Sequence, residues 1–376
     1  MSKPRKELEI NDHQLSISYI KVWLKLLRDN KIENKKMAAR IWFFVIFTAI
    51  FQWLQSLLFH WRIKRVDISK QPPFFILGHW RSGTTHLHYI FARDPQFGYL
   101  SNYQAFLLNV SLLGRTWLKW LLSPLMPDGR PQDNIKMSTD EPAEEEQPFS
   151  NISVRSGIHT FYFPKNITYH DKYNLFKGIK PREKRLWRKD YTYLIKLIKY
   201  INGKEKLVLK NPHNTSRVKE LLEIFPESKF LFIHRNPYAV FHSTRHLFRK
   251  AISTQFLQNF SEEEIVERVF YYFSSTLQKY LSERFLIPQE HLIEISFEEL
   301  ETSPWATIEK VYAHLDLGGL ENARPHIQKY LDSVTTYEKN QFPDLEPSII
   351  HRINSEWDFA FKAWGYAKIE PDSSNA

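Results

Sequence analysis

After Pro72 the chain alternates short apolar runs with helical patterns. Phe74 to Gly78 (FFILG) reads as a buried strand entering a turn, with a helix over Gly83 to Ala92. Leu207 to Lys210 (LVLK) predicts a second strand, with a helix over Ser216 to Ile224. Phe230 to His234 (FLFIH) predicts a third, with a helix over Ala239 to Arg249, and Leu292 to Ser296 (LIEIS) a fourth, with a helix over Pro304 to Leu315. Runs without polar alternation are those of strands covered on both faces. Strands alternating with helices predict an α/β fold, a P-loop-type parallel sheet flanked by helices. Its ligands are expected at the carboxyl ends of the strands.

Two segments interrupt this rhythm. Residues 1 to 66 form a helical leader, basic and then apolar, with nineteen uncharged residues from Ile41 to Phe59, fifteen of them apolar. As a helix this run spans about 28 Å, at the edge of what crosses a bilayer. Thr48, Gln52, Gln55 and Ser56 lie inside it, Lys35, Lys36 and Arg40 flank one end, and Arg62, Lys64 and Arg65 flank the other. The basic residues at both ends leave orientation open. A helix packed on the α/β domain, one lying on a membrane and one crossing it all fit the run 41–59. The second interruption is a long, largely helical insertion, Phe97 to Glu205, in which Leu113, Trp117, Trp120, Leu121 and Leu125 share a helical face. Such a stripe packs into a core or walls a pocket for an apolar acceptor. Residues 67–370 are then the main α/β domain, and the tail 371–376 is expected to be disordered.

Composition narrows the chemistry. A chain of 376 residues with 43% apolar and 15% aromatic residues builds a sizeable core. It has no cysteine, which excludes disulfides, a thiol nucleophile and thiolate metal ligands. The net charge of +10 favours anionic partners without choosing among them.

The motifs choose. Gly78-His79-Trp80-Arg81-Ser82-Gly83-Thr84-Thr85 lies between a strand and a helix. Its glycines let backbone N–H groups converge on an anion, and the helix start adds its dipole. The spacing is that of a Walker A loop, but Thr84 stands where that loop has its lysine. Arg81 supplies the positive charge from inside the loop. Downstream, the third strand delivers Arg235 at its end, and Ser243 follows two turns along the next helix. An arginine and a hydroxyl so placed are suited to a second phosphate.

Together these segments resemble the sulfotransferase superfamily. Arg81 to Thr85 matches its [KR]-S-G-T-T loop for the 5′-phosphosulfate, and Arg235 with Ser243 matches its 3′-phosphate element. Leu207 to Phe232, the acidic segment Arg130 to Gln147 and the closing Trp364-Gly365-Tyr366 are similar to the branch that holds tyrosylprotein sulfotransferases and many bacterial enzymes. The resemblance spans residues 72 to 366. It implies transfer of a sulfuryl group from 3′-phosphoadenosine 5′-phosphosulfate to an acceptor hydroxyl, in line and without a metal. It also implies that Lys210, in a K-N-P context, is the cation at the sulfuryl group; His213, three residues on, is placed to serve as donor or base. In that branch a glutamate follows the loop helix. Here the corresponding stretch, Tyr99 to Phe106, has Gln104 and no acid. Glu144, Glu145 and Glu146 are the alternatives for the base, and His79 is a further one.

Two other readings compete. A P-loop kinase or ATPase would carry a lysine at Thr84 and an acid for Mg²⁺ after a second strand; neither is present at that spacing. A non-enzymatic basic protein that binds membranes or nucleic acid explains the charge and the apolar leader, but not two phosphate elements. No GxG, GxSxG or DFG occurs. His242 and His246 are spaced i,i+4 without the surrounding pattern of a zinc helix. The expected partner is a small-molecule, lipid or carbohydrate hydroxyl acceptor, with a membrane surface as a candidate and no nucleic acid. The Lys/Ile/Asn/Phe-rich usage suggests a bacterial cytoplasmic enzyme; a Golgi enzyme with an N-terminal anchor is the alternative.

Overall fold

The computed structural model describes residues 13–114, 138–335 and 342–370. Five parallel strands form the sheet: β1 (Phe74–Leu77), β2 (Phe97–Gly98), β3 (Lys206–Lys210), β4 (Phe230–His234) and β5 (Leu292–Ser296), in the order β2-β3-β1-β4-β5. Alternate residues feed two cores. Phe75, Leu77, Leu209, Phe230 and Phe232 point into one, and Phe74, Ile76, Val208, Leu231 and Ile233 into the other. This is why these strands read as continuous apolar runs. The two-residue β2 was not expected, because it is too short to carry a pattern.

The leader joins the larger core. Leu15, Val22, Trp23, Leu26, Ile41, Val45 and Ile63 are buried in the cluster that holds Phe75 and Phe232. Hydrogen bonds tie it down: Ser18 Oγ donates to Asn151 Oδ1 at 2.8 Å, and Glu33 N and Asn34 N both donate to Leu257 O. It folds as a 3₁₀ turn (Gln14–Ile17), α1 (Ile20–Asp29) and α2 (Lys35–Lys64). Asn34 caps α2 by accepting from Met37 N.

Past β1, helix α3 (Thr84–Ala92) begins at Gly83, and a short α4 (Asn102–Leu107) follows β2. The Ser216 to Ile224 expectation is corrected. A 3₁₀ helix, Pro212–Ser216, precedes a short α-helix, Val218–Leu222. Pro212 starts the tighter turn, whose side chains are engaged in the site. The apolar stripe from Trp117 to Leu125, Arg130 to Met137 of the acidic segment and the tail 371–376 lie outside the described residues.

Candidate active site

The loop Gly78–Thr85 leaves the carboxyl end of β1. Thr215 clamps its start: Gly78 N donates to Thr215 Oγ1 at 2.8 Å, and Thr215 Oγ1 donates back to Gly78 O at 3.0 Å. Ser82 Oγ donates to His79 O at 2.7 Å and closes the turn. Gly83 sits at φ 100°, and a Cβ there would meet Phe297 Cδ2 at 2.5 Å, so the loop is closed to larger residues. At Gly78 a Cβ would meet Ile233 O at 2.6 Å. Helix α3 starts at Thr84, and its first turn aims N–H groups without intrahelical acceptors at the loop's concavity.

Arg81 adopts φ 70°, a left-handed conformation costly for a non-glycine residue. It turns the side chain towards the second phosphate element, where Arg81 Nε donates to Ser243 Oγ at 2.7 Å. Arg235 Nη1 donates to Arg81 O at 3.3 Å, and its guanidinium lies 4.2 Å from the Phe297 ring centroid. Arg81, Ser243 and Arg235 therefore meet in one place although 162 positions separate Arg81 from Ser243. The closing motif braces this corner. Trp364 stacks on His234 with centroids 5.2 Å apart, and His234 Nδ1 bonds the Tyr366 hydroxyl at 2.8 Å. Tyr366 Oη donates to Glu298 Oε2, while Glu298 Oε1 accepts from Asn236 N. The His234 side chain and the Asn236 backbone, on either side of Arg235, are thus held by residues sixty or more positions away.

Lys210 ends β3, paired in register with Ile76 of β1, which brings it beside the loop. Its Nζ is 3.4 Å from Thr85 Oγ1 and 2.5 Å from Glu144 Oε1, and Lys210 is only 3% exposed. Glu144 keeps a 22% exposed side chain.

The three adjacent glutamates are not equivalent: Glu145 and Glu146 are fully buried, and Glu144 is not. Glu145 is buried, accepting from Tyr191 Oη at 3.0 Å and Asn214 Nδ2 at 2.7 Å. Burial pushes its carboxyl up to about 7. Glu146 is buried in a bidentate pair with Arg217, at 2.6 and 2.9 Å, and also accepts from Asn211, Ser156 and Gly157 N. Burial alone would raise its pKa; the Arg217 charge and hydrogen bonds outweigh it and hold the carboxyl well below the usual range. With every lone pair engaged, Glu146 is a structural anion. Only Glu144 faces both the lysine and solvent.

His213 lies beneath this pair. Asn174 Nδ2 donates to Asp171 Oδ1, so its Oδ1 is the acceptor facing His213 Nδ1, at 2.7 Å. This contact suits the Nδ1–H tautomer, which leaves Nε2 as an acceptor. Burial pushes its pKa down to about 4. The ring packs edge-on against Trp80 at 4.8 Å. His79 is likewise buried, against Phe273, with Nδ1 bonded to Trp80 O at 2.8 Å and its pKa pushed down to about 4 by burial. Its ring anchors the loop and is remote from solvent. Gln104 turns out to be a cap: Ser101 N donates to its Oε1 in a capping box that starts α4. His242 stacks on Phe342, and His246 meets the same ring edge-on. Among the described residues, no group of three His, Asp or Glu side chains is placed to hold a metal ion.

Several contributors escaped sequence reasoning. Asn174 and Gly157 lie outside every motif, and Thr215 and Arg217 carry no evident role within Leu207 to Phe232. A Cβ on Gly157 would stand 1.7 Å from Asn174 Oδ1. Phe297 announces itself only by following β5.

A family model for the sulfotransferase family matches residues 72–321. The chain belongs to the sulfotransferase family. It is a sulfotransferase, and the kinase and non-enzymatic readings fall away. Among its curated relatives are two proteins called omega-hydroxy-beta-dihydromenaquinone-9 sulfotransferase Stf3, from Mycobacterium bovis and Mycobacterium tuberculosis. Each is 27% identical over 357 residues, 93% of this chain and 90% of the relative. The fold is shared with sulfotransferase STF9 from Mycobacterium avium (TM-score 0.63, 14% identity, 85% of this chain and 82% of that one). It is also shared with STF1 from Mycobacterium tuberculosis (TM-score 0.56, 16% identity, 82% and 85%).

Proposed function

We propose that this sulfotransferase takes its sulfuryl group from 3′-phosphoadenosine 5′-phosphosulfate and delivers it to a hydroxyl on a largely apolar, lipid-like acceptor at the cytoplasmic face of a bacterial membrane. The meeting of Arg81, Ser243 and Arg235 beside a glycine loop, with Lys210 and Glu144 at the adjacent strand end, carries the reading. Backbone N–H groups of Gly83 to Thr85 and the α3 dipole serve the 5′-phosphosulfate. Arg235 and Ser243 serve the 3′-phosphate, oriented by Arg81 and the Trp364–Tyr366 brace.

Glu144 accepts the proton of the acceptor hydroxyl as that oxygen forms its bond to sulfur. The sulfur–oxygen bond to the 5′-phosphate breaks, and its electron pair leaves on the adenosine bisphosphate. Lys210 moves from Glu144 towards that bridging oxygen and offsets the developing charge. The exchange frees the carboxylate when the donor is in place. His213 and Glu146, through Asn174, Asn211 and Arg217, hold the Pro212–Ser216 turn and thereby Lys210 and the loop. Positioning and charge suffice for such an in-line transfer, as in phosphoryl transfer. The acceptor class rests on the relatives' printed substrate, a hydroxylated dihydromenaquinone, and on the apolar residues of the insertion sequence.

Calorimetry with 3′-phosphoadenosine 5′-phosphate and adenosine 5′-phosphate tests the donor; at least about tenfold tighter binding of the former is expected, and equal affinities overturn the 3′-phosphate assignment. Labelled donor offered with a hydroxylated prenylquinone or with an oligosaccharide tests the acceptor. Transfer to the sugar alone overturns the lipid class.

A further inference from the structure

We infer that α2 is an in-plane membrane-binding helix, whose outward apolar face sits in the interface of an anionic bilayer while its polar face is fixed to the catalytic domain. The polarity of α2 is the reverse of a water-facing helix. Gln52 and Gln55 are buried, 3% and 4% exposed, whereas Phe43, Phe47, Ile50, Trp53, Leu57 and Trp61 are 60–70% exposed. Ten large apolar side chains of this one helix are more than a third exposed, on the order of 1,000 Å² of apolar surface, against the few hundred usual for the largest patch on a soluble monomer.

The inward contacts decide how α2 meets lipid. Gln52 Nε2 donates to Ile17 O at 3.1 Å, and Gln55 Nε2 donates to Leu108 O at 2.9 Å while its Oε1 accepts from Leu112 N at 2.8 Å. Ile41, Val45 and Ile63 are buried in the domain core. A helix crossing the bilayer would strip these contacts and leave two amides in hydrocarbon. Lying flat satisfies both faces.

Charge selects the lipid. From Lys35 to Val66 there is no acidic residue, and Lys35, Lys36, Arg40, Arg62, Lys64 and Arg65 bracket the apolar face at its two ends. Such a frame favours anionic headgroups. The same helix reaches the acceptor side of the site. The Leu108–Leu112 segment that Gln55 grips follows α4, and α4 joins the strip carrying Glu144 through Asn102 N to Glu141 O and Tyr103 N to Thr139 O. Docking of α2 would thus hold the Glu144 side of the site near the bilayer, a consequence that rests on the lipid-acceptor reading; docking itself does not.

The absence of cysteine makes the test clean. Single cysteines at Phe43, Ile50 and Leu57, which share one helix face, take an environment-sensitive fluorophore in the full-length chain. They are mixed with phosphatidylcholine vesicles with or without phosphatidylglycerol, and depth-dependent quenchers report penetration. The expected result is binding at least about tenfold tighter to the anionic vesicles, with the three labels at one shallow depth. Depths differing by about 10 Å between successive labels mean a spanning helix and overturn the inference. Lack of vesicle binding, or labels already shielded in solution by a second copy, overturns it too. The variant Phe47→Glu/Ile50→Glu should lose vesicle binding about tenfold or more and keep its affinity for 3′-phosphoadenosine 5′-phosphate, which also reports folding. Unchanged vesicle binding of that variant counts against α2. Sulfuryl transfer to a short soluble alcohol is measured separately, so a failure of docking and a failure of the lipid-acceptor reading remain distinct.

Discussion

Glu144, Glu145 and Glu146 have one side-chain chemistry and three surroundings, so the same change to glutamine should have three outcomes. At Glu144 glutamine keeps the shape and a hydrogen bond to Lys210 but cannot take a proton. Removal of a general base costs about 10²–10⁴ in kcat, or about 2.7–5.5 kcal/mol in the barrier. Lys210 is buried, but glutamine keeps a hydrogen bond to it, so the fold should lose about 1–3 kcal/mol, within the usual margin of about 5–15 kcal/mol. At Glu146 glutamine leaves the Arg217 guanidinium, 0% exposed, without its counter-charge. Breaking such a buried pair costs about 3–5 kcal/mol, so this variant should be the one that melts early. At Glu145 the carboxyl is already raised to about 7 by burial, so glutamine mimics its protonated form and should be nearly neutral. Above pH 7 it should stabilise, because the raised pKa makes the native glutamate lose stability as pH climbs from about 4.5 to 7. The assay is steady-state kcat, calorimetric affinity for 3′-phosphoadenosine 5′-phosphate and Tm for all three variants. A Glu144→Gln enzyme with kcat within threefold of wild type refutes the base assignment. A Glu146→Gln protein as stable as wild type refutes the account of the buried pair.

Lys210→Ala should retain the nucleotide and lose transfer; an active variant removes Lys210 from the mechanism. Arg235→Ala should weaken 3′-phosphoadenosine 5′-phosphate by about 1.5–3 kcal/mol, roughly 10- to 150-fold, and adenosine 5′-phosphate hardly at all; equal losses would place Arg235 elsewhere. Tyr366→Phe should give a weaker form of that selectivity loss with unchanged Tm, and rescue of 3′-phosphate affinity by no other change would leave the brace as its cause; full wild-type selectivity argues against a brace. Stability should fall as pH drops from about 6.5 towards 4. Ten histidines, among them His13, His79, His159 and His213, have pKa values lowered chiefly by burial, so the unfolded chain takes up protons in that window before the native one. Glu145, Asp171 and Glu220, raised by burial, push the other way but are fewer. Urea midpoints at pH 7, 6 and 5 test this, and a flat profile contradicts it.

The strands and the donor loop were legible because their signals are local. An apolar run covered on both faces, a glycine turn and a helix start occupy twelve consecutive residues from Phe74 to Thr85. The family match over residues 72–321 agrees with that reading of fold and reaction. The turn after β3 was misread because Pro212 to Ser216 obeys its partners: Thr215 holds Gly78, and Asn214 holds Glu145. His213 and Glu146 stand out in the sequence as candidates for the chemistry, but their network with Gly157, Asn174 and Arg217 left no trace, since its members lie up to 71 positions apart.

By itself, then, the sequence determined the parallel α/β sheet, the loop at Gly78 to Thr85 and the strand-end placement of Lys210 and Arg235, because backbone periodicity and turn chemistry are written in adjacent residues. Only the tertiary structure decided which of three glutamates faces Lys210, why Arg81 turns towards Ser243, and that α2 hides its glutamines and shows its phenylalanines. Those outcomes depend on which distant groups supply a charge or a hydrogen bond, and a helix wheel or a run of acids contains no record of its partners.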